Sequence, residues 1–94
     1  LDCKKHLILG MMSNKDHEEY LSKFNNISSI TTIDIPNQPN AIKGLDLKEK
    51  LNKYTNVNYK KSIEEALNSL NPEKGDLIMI TGSLYLAGEL LNLN

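Results

Sequence analysis

The chain has 94 residues, with eleven lysines, no arginine, twelve acidic residues and a formal net charge of −1. That length supports one small core and not two, and the even mixture of Lys with Asp and Glu leaves no basic stripe for nucleic acid or an anionic membrane. The single cysteine, Cys3, cannot close an internal disulfide and fits a reducing, cytoplasmic setting; no signal peptide is visible, and the longest apolar run falls far short of the roughly 20 residues that a membrane span needs.

Taken in order, the elements alternate. "HLILGMM" (6–12) is a continuous apolar run broken only by Gly10, the pattern of a strand buried on both faces of a parallel sheet. "DHEEYLSKF" (16–24) follows as a helix: Asp16 with Glu19 resembles a capping box, and Tyr20, Leu21 and Phe24 share one face. "SSITTIDI" (28–35) is β-branched and stops at Pro36, which predicts a second strand. "PNQPNAIKG" (36–44) is a loop. Asp46 can cap a second helix with Leu47, Leu51 and Tyr54 on one stripe. "NVNY" (56–59) is a short strand. Ser62 and Glu65 form a capping box for a third helix, with Ile63, Ala66, Leu67 and Leu70 on its buried face and Pro72 beyond its end. "DLIMIT" (76–81) is the third full strand, and from Leu84 the apolar positions Leu86, Ala87, Leu90 and Leu91 return to helical spacing. Strands alternating with short helices predict an α/β, Rossmann-like single domain over 1–94, a mostly parallel sheet with helices on both faces and right-handed crossovers.

In such sheets ligands sit at the carboxyl ends of the strands. Two segments of interest fall there. Thr81-Gly82-Ser83 ends one strand: Gly82 allows a sharp turn or a close approach, and Ser83 is a natural N-cap for a helix whose unpaired N–H groups suit a carboxylate or phosphate. Lys15 and Asp16 follow the first strand; Lys15 is a possible anion partner, and Asp16 orients a neighbour or caps its helix. Each has a purely structural alternative, a glycine turn with a cap or a capped helix with a solvated lysine. "GMMSNKD" is no P-loop, since it lacks the second Gly and the Lys-Ser/Thr pair, and no G-x-G-x-x-G follows any strand. His6 and His17 have no second ligand at metal spacing, and nothing in the order of residues marks a Ser-His-Asp arrangement.

"LILGMMSNKD", the proline loop leading to "AIKGLDLKEKL", "SIEEAL" and above all "LIMITGSLYLAGELL" resemble, in this order and over nearly the whole chain, the C-terminal domain of bacterial folylpolyglutamate synthase/dihydrofolate synthase, within the Mur ligase superfamily. The G-M-x-x-x-K-D and T-G-S-L-Y-L segments are fairly specific together. The resemblance implies an enzyme that uses ATP and magnesium to phosphorylate a carboxylate of a pteroate or folate substrate, after which the amine of L-glutamate attacks the acyl phosphate. It implies that ATP is held mainly by an N-terminal P-loop ATPase domain, and that this domain closes the cleft and helps to bind glutamate. Gly82 and Ser83 would line the glutamate side, with Lys15 and Asp16 as further substrate-binding candidates and no catalytic residue or metal ligand on this chain.

The departures from the family pattern are the P-loop domain and the D-x-A-H-N-P segment that supplies the family's first strand; neither is in these residues. Alone, the chain is expected to be inactive and to bind neither ATP nor magnesium. Because the first strand of a Rossmann-like sheet is central, its absence predicts an exposed edge or completion by another chain. The alternative reading is a non-catalytic Rossmann-like binding or interaction module, or the remnant of a split gene.

Overall fold

The computed structural model describes residues 3–54 and 56–82. Seven elements follow one another: β1 (Lys5–Leu9), α1 (His17–Leu21), β2 (Ile27–Thr32), α2 (Gly44–Lys50), β3 (Val57–Tyr59), α3 (Ile63–Ser69) and β4 (Leu77–Thr81). The four strands form one sheet in the order β3-β2-β1-β4, and every pairing is parallel. The α/β Rossmann-like architecture expected from the sequence is therefore the one observed.

The chain steps outward from β1 to β2 to β3, then returns across the sheet to place β4 on the other side of β1. A right-handed crossover puts its helix on opposite faces for these two directions of travel. Accordingly α1 and α2 cover one face, where Leu21, Leu47 and Leu51 pack with Leu7, Leu9, Met11 and Ile30. Helix α3 covers the other, where Ile63 and Ala66 pack with Ile8, Ile33 and Ile35. Complete burial of each Leu or Ile contributes about 1.5–3 kcal/mol, so the two apolar layers carry most of the fold's driving force.

β1 is hydrogen-bonded to a strand on each side, in register from Leu7↔Ile30 to Leu9↔Thr32 with β2 and from Lys5↔Leu77 to Leu9↔Thr81 with β4. The sheet thus has no gap at its centre: the run "LIL" is apolar on both faces because it is hydrogen-bonded between two strands. A further strand can add only outside β3 or outside β4. Of the two edges, β4 is the more apolar, yet Leu77 is exposed and Ile78, Met79 and Ile80 are only half-buried.

Three local expectations change. The cap of α2 is not Asp46, which lies in the helix's first turn; Lys43 occupies the N-cap position without a side-chain bond. The Gly44 N–H instead donates to Asp34 Oδ1 at 2.8 Å, from the end of a strand ten positions earlier. Strand β2 ends at Thr32, so Ile33 and Ile35 enter the core from a loop. Leu67, placed on the buried face by its spacing, is 36% exposed because α3 buries chiefly Ile63 and Ala66. The two N-caps are as read: Glu19 N–H donates to Asp16 Oδ1 at 3.1 Å and Glu65 N–H to Ser62 Oγ at 3.2 Å. Ser83 and the helix expected from Leu84 lie outside the described residues.

Candidate functional site

The reversal of direction between β1 and β4 creates a topological switch point. Strand β4 lies on the opposite side of β1 from β2, and the carboxyl ends of strands at such a change of order are the usual ligand position in open α/β sheets. Here those ends are Gly10-Met11 and Thr81-Gly82. The Gly10 N–H donates to the Thr81 carbonyl at 3.3 Å, which carries the β1·β4 ladder to the rim. Gly82 has φ +113°, a conformation that L side chains rarely adopt. A Cβ on it would lie 2.5 Å from the Gly10 carbonyl oxygen and 2.9 Å from Leu9 Cδ1. Glycine is therefore required at this corner for two reasons, backbone conformation and close approach to β1.

Helix α1 is fastened to the same corner. The Tyr20 hydroxyl hydrogen-bonds Thr81 Oγ1, and the Tyr20 ring meets Phe24 edge-on at 5.5 Å between centroids. At the start of α1, buried His17 donates from Nε2 at 3.0 Å to the carbonyl of Met12, in the loop that leads into the helix. That loop is also tied to the proline loop: Ile42 N–H donates to Met11 O at 3.0 Å, Ser13 N–H to Asn40 O at 2.9 Å, and Met12 bridges Ala41. The rim is thus held from three directions.

The four candidate residues fare differently. Gly82 sits at the switch point. Asp16 uses one carboxylate oxygen to cap α1. Lys15 is exposed, forms no ion pair among the described residues, and lines a shallow depression of about 250 Å3 with Asp16, His17, Glu18 and Lys50. Ser83 falls outside the described residues. Lys15 and Lys50 bring two ammonium groups to one depression, a pairing between β1's loop and α2 that no local motif announces.

A second feature of the rim escaped the sequence reading. Asp34, just past β2, accepts from the Tyr59 hydroxyl at 2.5 Å and from Gly44 N–H. With Gln38, Pro39, Lys43 and Asp46 these two residues line a cleft of about 480 Å3. The hydrogen bond to Asp34, then burial and the nearby carboxylate charge, push the Tyr59 hydroxyl from 10.0 up to about 12. Gly44 makes this possible, since a Cβ there would lie 2.4 Å from Tyr59 Cε1. Among the described residues no group of three His, Cys, Asp or Glu gathers to hold a metal ion, and no helix is long and apolar enough to cross a membrane.

Fold and rim together define a parallel-sheet α/β domain of Rossmann-like type with a switch point between β1 and β4. The architecture is similar to that of solved folylpolyglutamate synthases. The enzyme from Thermotoga maritima superposes with a TM-score of 0.74 at 22% identity, covering 96% of this chain and 21% of that one. The Mycobacterium tuberculosis folylpolyglutamate synthase, solved with ADP and AMPPCP, gives 0.79 at 18% identity, covering 96% and 23%. The bifunctional folylpolyglutamate synthase/dihydrofolate synthase from Yersinia pestis, solved with AMPPNP and a manganese ion, gives 0.75 at 17%, covering 96% and 22%. No family model matches the chain, and no curated protein matches it. The likeness is one of fold, and it falls on the enzymes that the segments "LILGMMSNKD" and "LIMITGSLYLAGELL" resemble. The chain spans about a fifth of the length of these enzymes.

Proposed function

We propose that residues 1–94 are the C-terminal-type domain of an ATP-dependent ligase that joins L-glutamate to dihydropteroate or to a (poly)glutamylated folate. The observation that carries this reading is the corner at the switch point, where Gly82 packs against Gly10 with both resemblance segments converging on one rim. In the reading, the corner lines the glutamate side of a cleft that this domain closes over. The residue following Gly82, Ser83, contacts the incoming amino acid, and Lys15 beside Lys50 offers positive charge to its carboxylates. Neither role calls for an acid, a base or a nucleophile on this chain.

ATP and magnesium, when bound, supply activation of the acceptor carboxylate as an acyl phosphate. The P-loop is lacking here and no acidic cluster forms among the described residues, so both belong to an N-terminal P-loop ATPase domain. That domain is the partner in this proposal. The half-buried apolar edge of β4 is the place where a strand from it would add.

The test is complementation. The chain is mixed with a separately expressed N-terminal portion of a folylpolyglutamate synthase that includes its first C-terminal-domain strand. ATP- and glutamate-dependent ligation is then assayed on dihydropteroate and on tetrahydrofolate. Restored activity is expected, and the preferred acceptor names the reaction. Ser83→Ala in the reconstituted enzyme should raise the glutamate requirement more than the ATP requirement, with Lys15→Ala tested alongside. Folded, associated pieces with no ligation would overturn the proposal and leave a non-catalytic binding module.

A further inference from the structure

At the opposite end of the sheet from the rim lies a group of side chains that the ligase reading does not use. His6 of β1 stands beside Ser29 of β2 in register. His6 Nδ1 lies 2.8 Å from Ser29 Oγ, and His6 Nε2 lies 2.9 Å from Asp76 Oδ2, at the residue before β4. All three are nearly buried: Ser29 is 6% exposed, and the His6 and Asp76 side chains are 12% and 10% exposed. Nothing in the order of residues marks this trio; the sheet register brings His6 of β1 and Ser29 of β2 together with Asp76, the residue before β4.

The chain of hydrogen bonds has a direction. Asp76 also accepts from Glu73 N–H at 3.0 Å, and its carboxyl is held below the usual carboxylate range, first by the His6 bond and then by that amide. An ionised Asp76 selects the imidazole tautomer with its proton on Nε2. Nδ1 then presents a lone pair to the Ser29 hydroxyl. This is the relation of nucleophile, base and orienting carboxylate that makes a serine reactive.

The group does not end in packed core. His6 and Ser29 form part of the wall of a cavity of about 350 Å3, roofed by Ser69, Leu70 and Asn71 at the end of α3. Thr31, 2% exposed, lines the same cavity, and its hydroxyl makes no hydrogen bond among the described residues. Lys60 lines it too and forms no ion pair among the described residues. An apolar trio at these positions would continue the Ile8, Ile78 and Ile80 surface; the sheet instead turns polar where the cavity opens.

We propose that Ser29 is a nucleophile activated by His6 and oriented through Asp76, and that the cavity takes small esters. Ser29 Oγ attacks the ester carbonyl while its proton passes to His6 Nδ1. The carbon–oxygen bond to the alcohol then breaks, and the proton on His6 goes to the departing alkoxide. This leaves an acyl ester on Ser29 and a free alcohol. Water repeats the sequence, releasing a carboxylic acid and restoring the serine. Backbone N–H groups of β2 are engaged in the ladders on both sides, so negative charge on the tetrahedral oxygen is offset by the Lys60 ammonium and the Thr31 hydroxyl. The proposal is independent of the ligase reading.

The experiment uses the 94-residue chain, a small alkyl fluorophosphonate and p-nitrophenyl acetate, with adducts located by tandem mass spectrometry. A single adduct at Ser29 is expected in the native chain, none in Ser29→Ala and none after unfolding in urea. His6→Gln should slow labelling by about 100-fold or more. Asp76→Asn should lower the maximal labelling rate without changing the probe concentration at half-saturation, which a merely structural role would not separate. Hydrolysis of p-nitrophenyl acetate should be lost with the adduct. An unlabelled Ser29 in chain shown by circular dichroism to be folded would overturn the proposal, as would equal labelling in His6→Gln. If His6→Gln does not fold, the native, urea-unfolded and Asp76→Asn samples decide it.

Discussion

The two faces of the sheet are built on different terms. On the α1/α2 face, Leu7, Leu9, Met11, Ile30, Leu21, Leu47 and Leu51 are all at most 2% exposed and form one uninterrupted layer. On the α3 face the apolar layer of Ile8, Ile33, Ile63 and Ala66 gives way to His6 and Ser29 towards the amino ends of the strands, with Thr31 beside Ile8. The difference teaches that, among the described residues, one helix, α3, covers a face whose counterpart is covered by two. Where its seven residues run out, polar side chains that satisfy one another replace apolar ones that would face a cavity.

This contrast can be tested by stability. Leu47→Ala removes a wholly buried side chain from the continuous layer and should cost about 2–5 kcal/mol, read from the urea midpoint. Ser29→Ala, on the polar half of the other face, should cost about 1 kcal/mol, since one hydrogen bond is lost where water can replace it. Equal losses would erase the distinction between the faces. Between these two in size is Gly82→Ala at the rim. The strained φ and the clash with the Gly10 carbonyl should destabilise by about 1–3 kcal/mol and displace the end of β4 from β1, seen as lost hydrogen-exchange protection at Gly10.

The smallest effect concerns Tyr59. Its hydroxyl is raised from 10.0 to about 12 in the fold, chiefly by the bond to Asp34. The folded value exceeds the unfolded one, so the stabilisation is complete below pH 10 and disappears as pH climbs through that interval. Tyr59→Phe should flatten the alkaline limb of the stability curve and remove from the tyrosinate absorbance titration a component near pH 12. A normal titration there would show that the Asp34 cap does not hold the tyrosine.

What could be read in the sequence was local or periodic. The caps at Asp16 and Ser62 act across three positions, and the apolar runs of β1 and β4 declare burial without any knowledge of partners. The turn at Gly82 was legible because a strand pattern meets a helix pattern with no spacer. What escaped depends on register. Asp34 caps a helix it does not precede directly, and Ser29 and Asp76 lie 23 and 70 positions from His6. No spacing rule joins them; they meet because β1 is central. Of the candidate site, Gly82 could be placed at a strand end and Lys15 and Asp16 on the same rim, whereas the meeting of Lys15 with Lys50 appears only once α2 is positioned.

The return of β4 to the central strand has a consequence for the order of folding. Lys5 meets Leu77 across nearly the length of the chain, whereas β1, β2 and β3 can pair while the last strand is still loose. Closing so long a loop is entropically slow. Until it closes, β1 carries a bare apolar edge, the kind of template on which a second copy can deposit its own strand. The β1·β4 seam is therefore the step at which this domain is most exposed to misassembly, and the glycine corner that seals it guards the pathway as well as the finished sheet.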